Sequence, residues 1–524
     1  MKHMKKFTAM LLAVIMVLGM ALSVSADGTD STDGYTITIE HAEATQKHTY
    51  GAYQIFTGDL HTTTEDGKEV KVLSNIVWGS GIDEAGKTAL LEEYQVDTAA
   101  ELAEILESEA DAKAFAEAVA QHLTGTPAQS TADADNQVYT IKVSDAGYYL
   151  IKDMETITGH DSYTRYMMKV VADVKATHKN SVPTVDKQVW DEDTDDDAGD
   201  DANWGETADH NLNESFKFKL IANLPKEIAF DAYDTYKVVF NDTMSDGITF
   251  ESIEEVVVDG VKLTGDQYTH NGSADKQSWT LTIDDIKCIT GVNLKDGATV
   301  EVIYNAHLNE NAVISNPGNK NTVFLQYSNN PNATGEGEEL GKTNEDTVWV
   351  FTYDIDAKKV DGKDKTTPLA GAKFKLYREN GTTKEYVTLE YVNSEDAYKV
   401  TGWKADETQG TEITTLEKGL VKIIGLDHGT YYLKETKAPA GYNLLTDAIK
   451  IEISAVHAEE ANGAVTNVLV NNGSEDTVIQ VENNAGVTLP ETGGMGTTMF
   501  YAVGAVLVLA AVVLLVTKRR MRAE

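Results

Sequence analysis

Phe351-Thr352-Tyr353-Asp354-Ile355-Asp356-Ala357-Lys358-Lys359 alternates apolar and polar residues, so Phe351, Tyr353, Ile355 and Ala357 share one face of a strand. The next position on that face is Lys359. On Tyr431-Tyr432-Leu433-Lys434-Glu435, the face of Tyr431 and Leu433 runs on to Glu435. On Ile479-Gln480-Val481-Glu482-Asn483, Ile479 and Val481 share their face with Asn483. Period-two geometry therefore aims a lysine, a carboxylate and an amide into one apolar interior. Buried there as ordinary charges, they would cost several kcal/mol. Desolvation lowers a lysine pKa and raises a glutamate pKa, so both can become neutral. A neutral amine can attack the Asn483 side-chain carbonyl while the Glu435 carboxyl moves protons and polarises the amide. The expected product is a Lys359–Asn483 isopeptide bond, with ammonia lost. The plainer reading of each residue alone is a strand-end side chain whose head reaches water.

The same logic recurs upstream. Val185, Lys187 and Val189 share a face, as do Tyr236, Val238, Phe240 and Asp242. Asn321, Val323, Leu325 and Tyr327 share a third, which predicts a Lys187–Asn321 bond promoted by Asp242. Asn319 has the same parity, so both asparagines stay open. The strand Tyr35–Glu40 carries no lysine, and no such bond is expected in the first unit.

Outward from these strands, short alternating segments between turn signals argue for a mainly β chain of tandem immunoglobulin-like β-sandwich domains. The first unit, 27–180, adds helical insertions. Strands are expected at Tyr35–Glu40, Val138–Val143, Gly147–Ile151 and Tyr166–Val174. A helical stretch is expected at Asp97–Leu123, where Thr98 and Glu101 have capping-box spacing. A middle domain at 181–347 and a last one at 348–487 follow. The acidic run Asp191–Asp201 has Ala198 where a calcium loop needs its tight-turn glycine, and reads as a solvated loop. Around Gly341-Lys342-Thr343, Glu336 stands where a P-loop has its first glycine. No HExxH or GxSxG is present. No cofactor and no metal are expected, and a wall-bound enzyme has no supporting motif.

The 524 residues hold 44 Lys plus Arg against 84 Asp plus Glu, a net charge of −40. The positive charge gathers at Lys2, Lys5 and Lys6 and at Lys518, Arg519, Arg520 and Arg522, so the chain between is more acidic still. Such a surface repels phosphate and excludes nucleic acid as a partner. The single cysteine, Cys288, rules out an internal disulfide. Residues 1–26 read as a signal peptide: a basic start, an apolar run from Phe7 to Leu22, then Val24-Ser25-Ala26 with small residues for cleavage after Ala26. Met499 to Val516 is a second apolar run, and its eighteen residues reach about 27 Å, the lower limit for crossing a bilayer. The basic cluster behind it should stay cytoplasmic.

Upstream of that run lies Leu489-Pro490-Glu491-Thr492-Gly493. The order LPxTG, apolar helix, basic tail (488–524) resembles the cell-wall sorting signal of Gram-positive surface proteins. By that resemblance a sortase cysteine cleaves between Thr492 and Gly493, holds Thr492 as a thioester and passes it to an amine. Lys359-Val360-Asp361, Leu369-Ala370-Gly371-Ala372-Lys373-Phe374 and Glu435-Thr436-Lys437-Ala438-Pro439-Ala440-Gly441-Tyr442 resemble the collagen-adhesin B-type module. In that family the matching Lys, Glu and Asn form an intramolecular isopeptide. Ala176-Thr177-His178-Lys179-Asn180-Ser181-Val182-Pro183 resembles the pilin motif of sortase-assembled Gram-positive backbone (major) pilins, with Thr177-His178 in place of Tyr-Pro. Tyr50–Asp59 and Leu325–Pro331 also resemble these pilins.

The resemblance implies a structural backbone subunit of a covalently polymerised pilus, secreted and cell-wall-anchored, with its precursor transiently in the membrane. Thr492 of one subunit would join Lys179 of the next. The partners implied are a pilus-specific sortase, a housekeeping sortase and peptidoglycan, identical pilin subunits, minor pilins and a host-surface ligand. The rival is a singly anchored adhesin or minor basal pilin without polymerisation.

Overall fold

The computed structural model describes residues 20–24, 34–41, 47–65, 68–106, 109–157, 159–163, 165–178, 182–192, 203–225, 230, 233, 235–330, 340–457, 465–474, 476–486 and 496–520. Most of them lie in strands, as the alternating pattern predicts. In the first unit, Tyr35–Glu40 lies between Val174–His178 and Val138–Val143 in one sheet, with Met20–Val24 along the outer edge of Val174–His178. A second sheet runs Lys68–Trp78, Tyr50–Glu65, Gly147–Asp153, Arg165–Val170. Ile37, Ile39, Tyr139 and Ile141 of the first sheet bury against Tyr50, Ile151 and Met168 of the second. The expected stretch Tyr166–Val174 is two strands, one in each sheet.

The helical insertion differs from the expected single stretch. It comprises Glu84–Glu93, Ala99–Ile105 and Glu109–Ala120. Asp83 caps the first by accepting from Gly86 N, and Thr98 caps the second by accepting from Glu101 N. Glu101 in turn accepts from Asp97 N at 2.9 Å, one residue before the N-cap Thr98, so the spacing read from the sequence gives a variant of the capping box. The second helix stops because Leu106 leaves helical geometry, at φ −77° and ψ 49°. The first helix was not foreseen; its apolar residues are too few to show a clear stripe. The helices bury Leu90, Leu102, Phe115 and Val119 against Ile55, Phe56 and Leu150 of the second sheet.

The middle unit is a sandwich. One sheet runs Trp204–Gly205, Thr184–Trp190, Ser215–Asn223, Thr299–Leu308, Ile248–Val258, Val261–Lys262. The facing sheet runs Thr207–Asp209, Asp346–Phe351, Asn319–Ser328, Val238–Met244, Ser278–Ile283, Thr269–Gly272. Thr299–Leu308 alternates half-buried and buried residues along its whole length, as one wet and one dry face require. Asp346–Phe351 runs across the 347/348 division expected from the sequence. It pairs with Asn319–Val323 of the middle unit, and the chain changes sheet at Thr352.

The last unit is one ten-stranded sheet, and its buried residues run on without a break into those of the middle unit. Its opening strand Tyr353–Asp361 pairs in parallel with its final strand Val478–Asn483 and antiparallel with Leu420–Leu426. Antiparallel neighbours can be joined by a tight turn, but a parallel pair must be brought together by a long connection. Here the connection is almost the whole unit, so first and last strands lie side by side. Gly496–Arg520 is a single helix, and Phe500–Arg520 has a mean hydropathy of 2.7 with none of it buried, long and apolar enough to cross a membrane.

Candidate functional site

The parallel pairing of Tyr353–Asp361 with Val478–Asn483 sets Lys359 opposite Val481 and Asp361 opposite Asn483. The side chains of Lys359 and Asn483 therefore meet on the inner face, although 124 residues separate them in sequence. Lys359 Nζ donates to Asn483 Oδ1. Glu435, third in the buried series Tyr431, Leu433, Glu435, reaches in from Gly429–Lys437. Its Oε1 lies 3.4 Å from Lys359 Nζ. Asn483 Nδ2 donates to Glu435 Oε1 at 3.0 Å and to Oε2 at 3.1 Å.

All three side chains are fully buried. Burial pushes the Lys359 ammonium down from its ordinary value, and the Glu435 charge only partly restores it. The amine faces the amide oxygen, while the carboxyl bridges the amine and the amide nitrogen. Where sequence reasoning had the carboxyl polarise the amide, its contacts are with the nitrogen side. Two backbone groups absent from that reading complete the cage. Asn443 O accepts from Asn483 Nδ2 at 3.0 Å, and Leu445 N donates to Glu435 Oε2 at 2.9 Å. Both lie on the loop after the Pro439-Ala440-Gly441-Tyr442 turn, and their reach follows from tertiary placement alone.

In the middle unit, Lys187 on Thr184–Trp190 crosses the sandwich to the opposite sheet. Its Nζ pairs with Asp242 Oδ2, both side chains fully buried. Tyr304, on Thr299–Leu308, accepts from Lys187 Nζ at 3.1 Å and donates to Asp242 Oδ2 at 3.1 Å. Asn321 Nδ2 donates to the same hydroxyl at 2.6 Å. Asn321 pairs with Met244 across the ladder and Asp242 with Val323, so the two side chains are diagonal neighbours on one face.

Desolvation pushes Lys187 down and Asp242 up, each moderated by the other's charge. Asp242 Oδ1 and Asn321 Oδ1 are buried without a hydrogen-bond partner among the described residues. Asn319 goes elsewhere: its Oδ1 accepts from Val313 N at 2.8 Å, and its Nδ2 donates to Val313 O and Val350 O. The structure thus brings Lys187, Asp242 and Asn321 together and leaves Asn319 out. Tyr304 is the member that sequence reasoning missed. Its inward parity with Val300, Val302 and Ala306 was legible, but its position between three polar groups was not.

Lys179, the sorting signal Leu489, Pro490, Glu491, Thr492, Gly493, and residues 193–201 of the acidic run lie outside the described residues.

Comparison with known proteins agrees with this architecture. Residues 222–331 match the Cna-B-like domain of Gram-positive pilin backbone subunit 2, residues 353–467 a prealbumin-like fold domain, and residues 481–521 the LPXTG cell wall anchor motif. The trypsin-resistant surface T6 protein of Streptococcus pyogenes serotype M6 is 26% identical over 341 residues, covering 62% of this chain and 54% of that one. Fimbrial subunit type 1 of Actinomyces viscosus is 30% identical over 221 residues, covering 38% and 39%. The chain thus spans about half or less of the length of these curated relatives. In fold it is similar to the full-length major pilin SpaD from Corynebacterium diphtheriae, with a TM-score of 0.51, 18% identity, and coverage of 88% of this chain and 99% of that one. It is also similar to the T6 backbone pilin of serotype M6 Streptococcus pyogenes, with a TM-score of 0.50, 16% identity, and coverage of 88% and 100%. Such a pilin is a structural protein rather than an enzyme acting on a substrate. The chain thus carries in series a Cna-B-like domain of the Gram-positive pilin backbone kind, a prealbumin-like domain and an LPXTG cell-wall anchor, the set of parts expected of a backbone pilin.

Proposed function

We propose that the chain is the backbone subunit of a covalently polymerised, cell-wall-anchored pilus. Sortase would cleave between Thr492 and Gly493, and the Lys179 amine of another subunit would take up Thr492 from the thioester. The observation that carries this reading is a pilin-backbone domain in the same chain as an LPXTG anchor. A pilus-specific sortase, identical subunits and peptidoglycan are the partners that follow.

The two buried clusters would supply strength along the fibre. In the last unit, neutral Lys359 Nζ attacks Asn483 Cγ, and a C–N bond forms. The tetrahedral centre then expels Nδ2 as ammonia. One proton must leave the lysine nitrogen and one must reach the departing nitrogen. Glu435 lies within 3.4 Å of the first and 3.0 Å of the second, so one carboxyl can serve both transfers. Closing a loop of 124 residues is worth roughly 5 kcal/mol of unfolded-state entropy, by analogy with a disulfide. In the middle unit, Lys187 would bond Asn321, with Asp242 taking the proton and the Tyr304 hydroxyl relaying it. A relative named for trypsin resistance fits a chain tied in this way.

The test compares wall extracts boiled in SDS from wild type and Lys179→Ala. A high-mass ladder in the wild type that disappears in the variant supports the fibre and its lysine. A ladder persisting in Lys179→Ala moves the linkage to another amine. No ladder in the wild type makes the protein a singly anchored adhesin.

A further inference from the structure

A third cluster lies in the first unit and shares no residue with the two lysine clusters. His41 follows the strand Tyr35–Glu40, His48 precedes Tyr50–Glu65, and Asp161 comes from the loop after Gly147–Asp153. All three side chains are fully buried. His48 Nε2 is 3.2 Å from Asp161 Oδ2, and His41 Nε2 is 3.7 Å from Asp161 Oδ1. One ligand atom from each residue lies within 4.8 Å of those of the other two. A tetrahedral zinc with bonds of about 2.0 Å has ligands about 3.3 Å apart, which the two distances to Asp161 already approach.

The outer groups are placed as a metal site needs them. His48 Nδ1 is 2.7 Å from Asp153 Oδ1, and His41 Nδ1 is 2.9 Å from the Tyr50 hydroxyl. Each contact can hold the proton on Nδ1 and turn Nε2 towards the common centre, as the outer partners of metal-bound imidazoles do. Two neutral imidazoles, the Asp153 and Asp161 carboxylates and one dication sum to zero charge. No sequence motif announces this set, because Asp161 is 113 residues from His48.

We propose that His41, His48 and Asp161 form a buried site for one divalent transition-metal cation, with zinc the best fit to two imidazoles and a carboxylate. This departs from the sequence expectation of no metal and does not depend on the pilus reading. The site would act as a structural clamp. The loop carrying Asp161 is also the seam with the middle unit. Asp161 O accepts from Tyr327 OH at 3.2 Å, Gly159 O accepts from Lys342 N at 3.0 Å, and Tyr163 N donates to Asn329 O at 2.8 Å. A metal on Asp161 would hold that loop from the first unit while these bonds hold it from the second.

The full-length chain in detergent, stripped with chelator, is titrated with zinc and followed by calorimetry, thermal melting and the absorption spectrum of a cobalt-substituted sample. The expected result is one zinc per chain, a raised melting temperature and cobalt bands of a four-coordinate site, with one water beside the three protein ligands. His41→Gln and His48→Gln should each bind at least tenfold more weakly. If those variants fail to fold, Asp153→Asn and Tyr50→Phe decide, each with affinity about tenfold lower. Wild-type chain that takes up no zinc overturns the proposal. So does unchanged affinity in the folded histidine variants, or in both outer variants, which would send the metal elsewhere, for instance to Asp209, Asp427 and His428.

Discussion

The two lysine clusters solve one chemical problem with different parts. In the last unit, amine, amide and carboxyl touch one another directly, and Glu435 alone reaches both nitrogens. In the middle unit the acid is the shorter Asp242, paired with the amine, and the Tyr304 hydroxyl stands between both of them and Asn321. The difference follows from topology. Lys359 and Asn483 sit on adjacent strands of one sheet, whereas Lys187 must cross a sandwich to reach Asn321. Crossing leaves room for one more polar side chain, and a buried polar site has to fill that room with a hydrogen-bonding group.

The largest expected effect treats the clusters as equals. Wild-type protein should weigh two ammonias less than its sequence, and Asn483→Ala or Asn321→Ala should each cut the deficit to one. Each should also lose about 5 kcal/mol in denaturant unfolding, the loop-closure worth of one cross-link. An Asn321→Ala protein that keeps the full deficit would move the middle bond to a different amide. Asn319→Ala should retain both deficits, since Asn319 is engaged with Val313 and Val350.

The next effect separates them. Glu435→Gln should stop the last-unit bond from forming, with the middle one intact, because among the described residues no other side chain spans its two nitrogens. Tyr304→Phe should slow the middle bond by about a hundredfold, the usual worth of a positioned proton donor or acceptor. It should leave the last unit untouched. Mass spectra taken at intervals after refolding give both rates. A middle bond forming at the wild-type rate in Tyr304→Phe would make the hydroxyl a bystander and erase the contrast between the clusters.

How far this was legible from sequence follows the same division. Parity along a strand is a local property, and it aimed Lys359, Glu435, Asn483, Lys187, Asp242 and Asn321 inward without any knowledge of pairing. Register is not local. Asn319 and Asn321 share parity, and only the placement of Met244 opposite Asn321 and Val350 opposite Asn319 distributes them. Tyr304 was hidden because an inward tyrosine on a β-strand is ordinary core. The helix Glu84–Glu93 was hidden because short helices take much of their stability from packing rather than from their own pattern. The His41, His48 and Asp161 cluster was hidden for the same reason as Tyr304: its members belong to segments that meet only in the folded chain.

The smallest effect is a pH signature of amines left unreacted. In Asn483→Ala, Lys359 remains a titrating group, and burial holds its folded value below the ordinary 10.5 of the unfolded chain. Between those two values the unfolded chain binds more protons, so stability should rise with pH, by at most about 1.4 kcal/mol per pH unit, and level off above 10.5. Wild type, cross-linked as proposed, would carry an amide there and should show no such rise from this residue. Asn321→Ala should behave alike on the alkaline side, because burial also lowers Lys187. Asn321→Ala carries a second signature in acid. Burial raises Asp242, so the folded chain binds more protons than the unfolded one above pH 3.8, and stability should fall as pH climbs from there to the folded value. Denaturant midpoints of the two variants should therefore rise alike on the alkaline side. An Asn483→Ala midpoint that declines towards pH 10 would mean that Lys359 keeps its proton in the folded chain, and an ammonium there cannot attack Asn483.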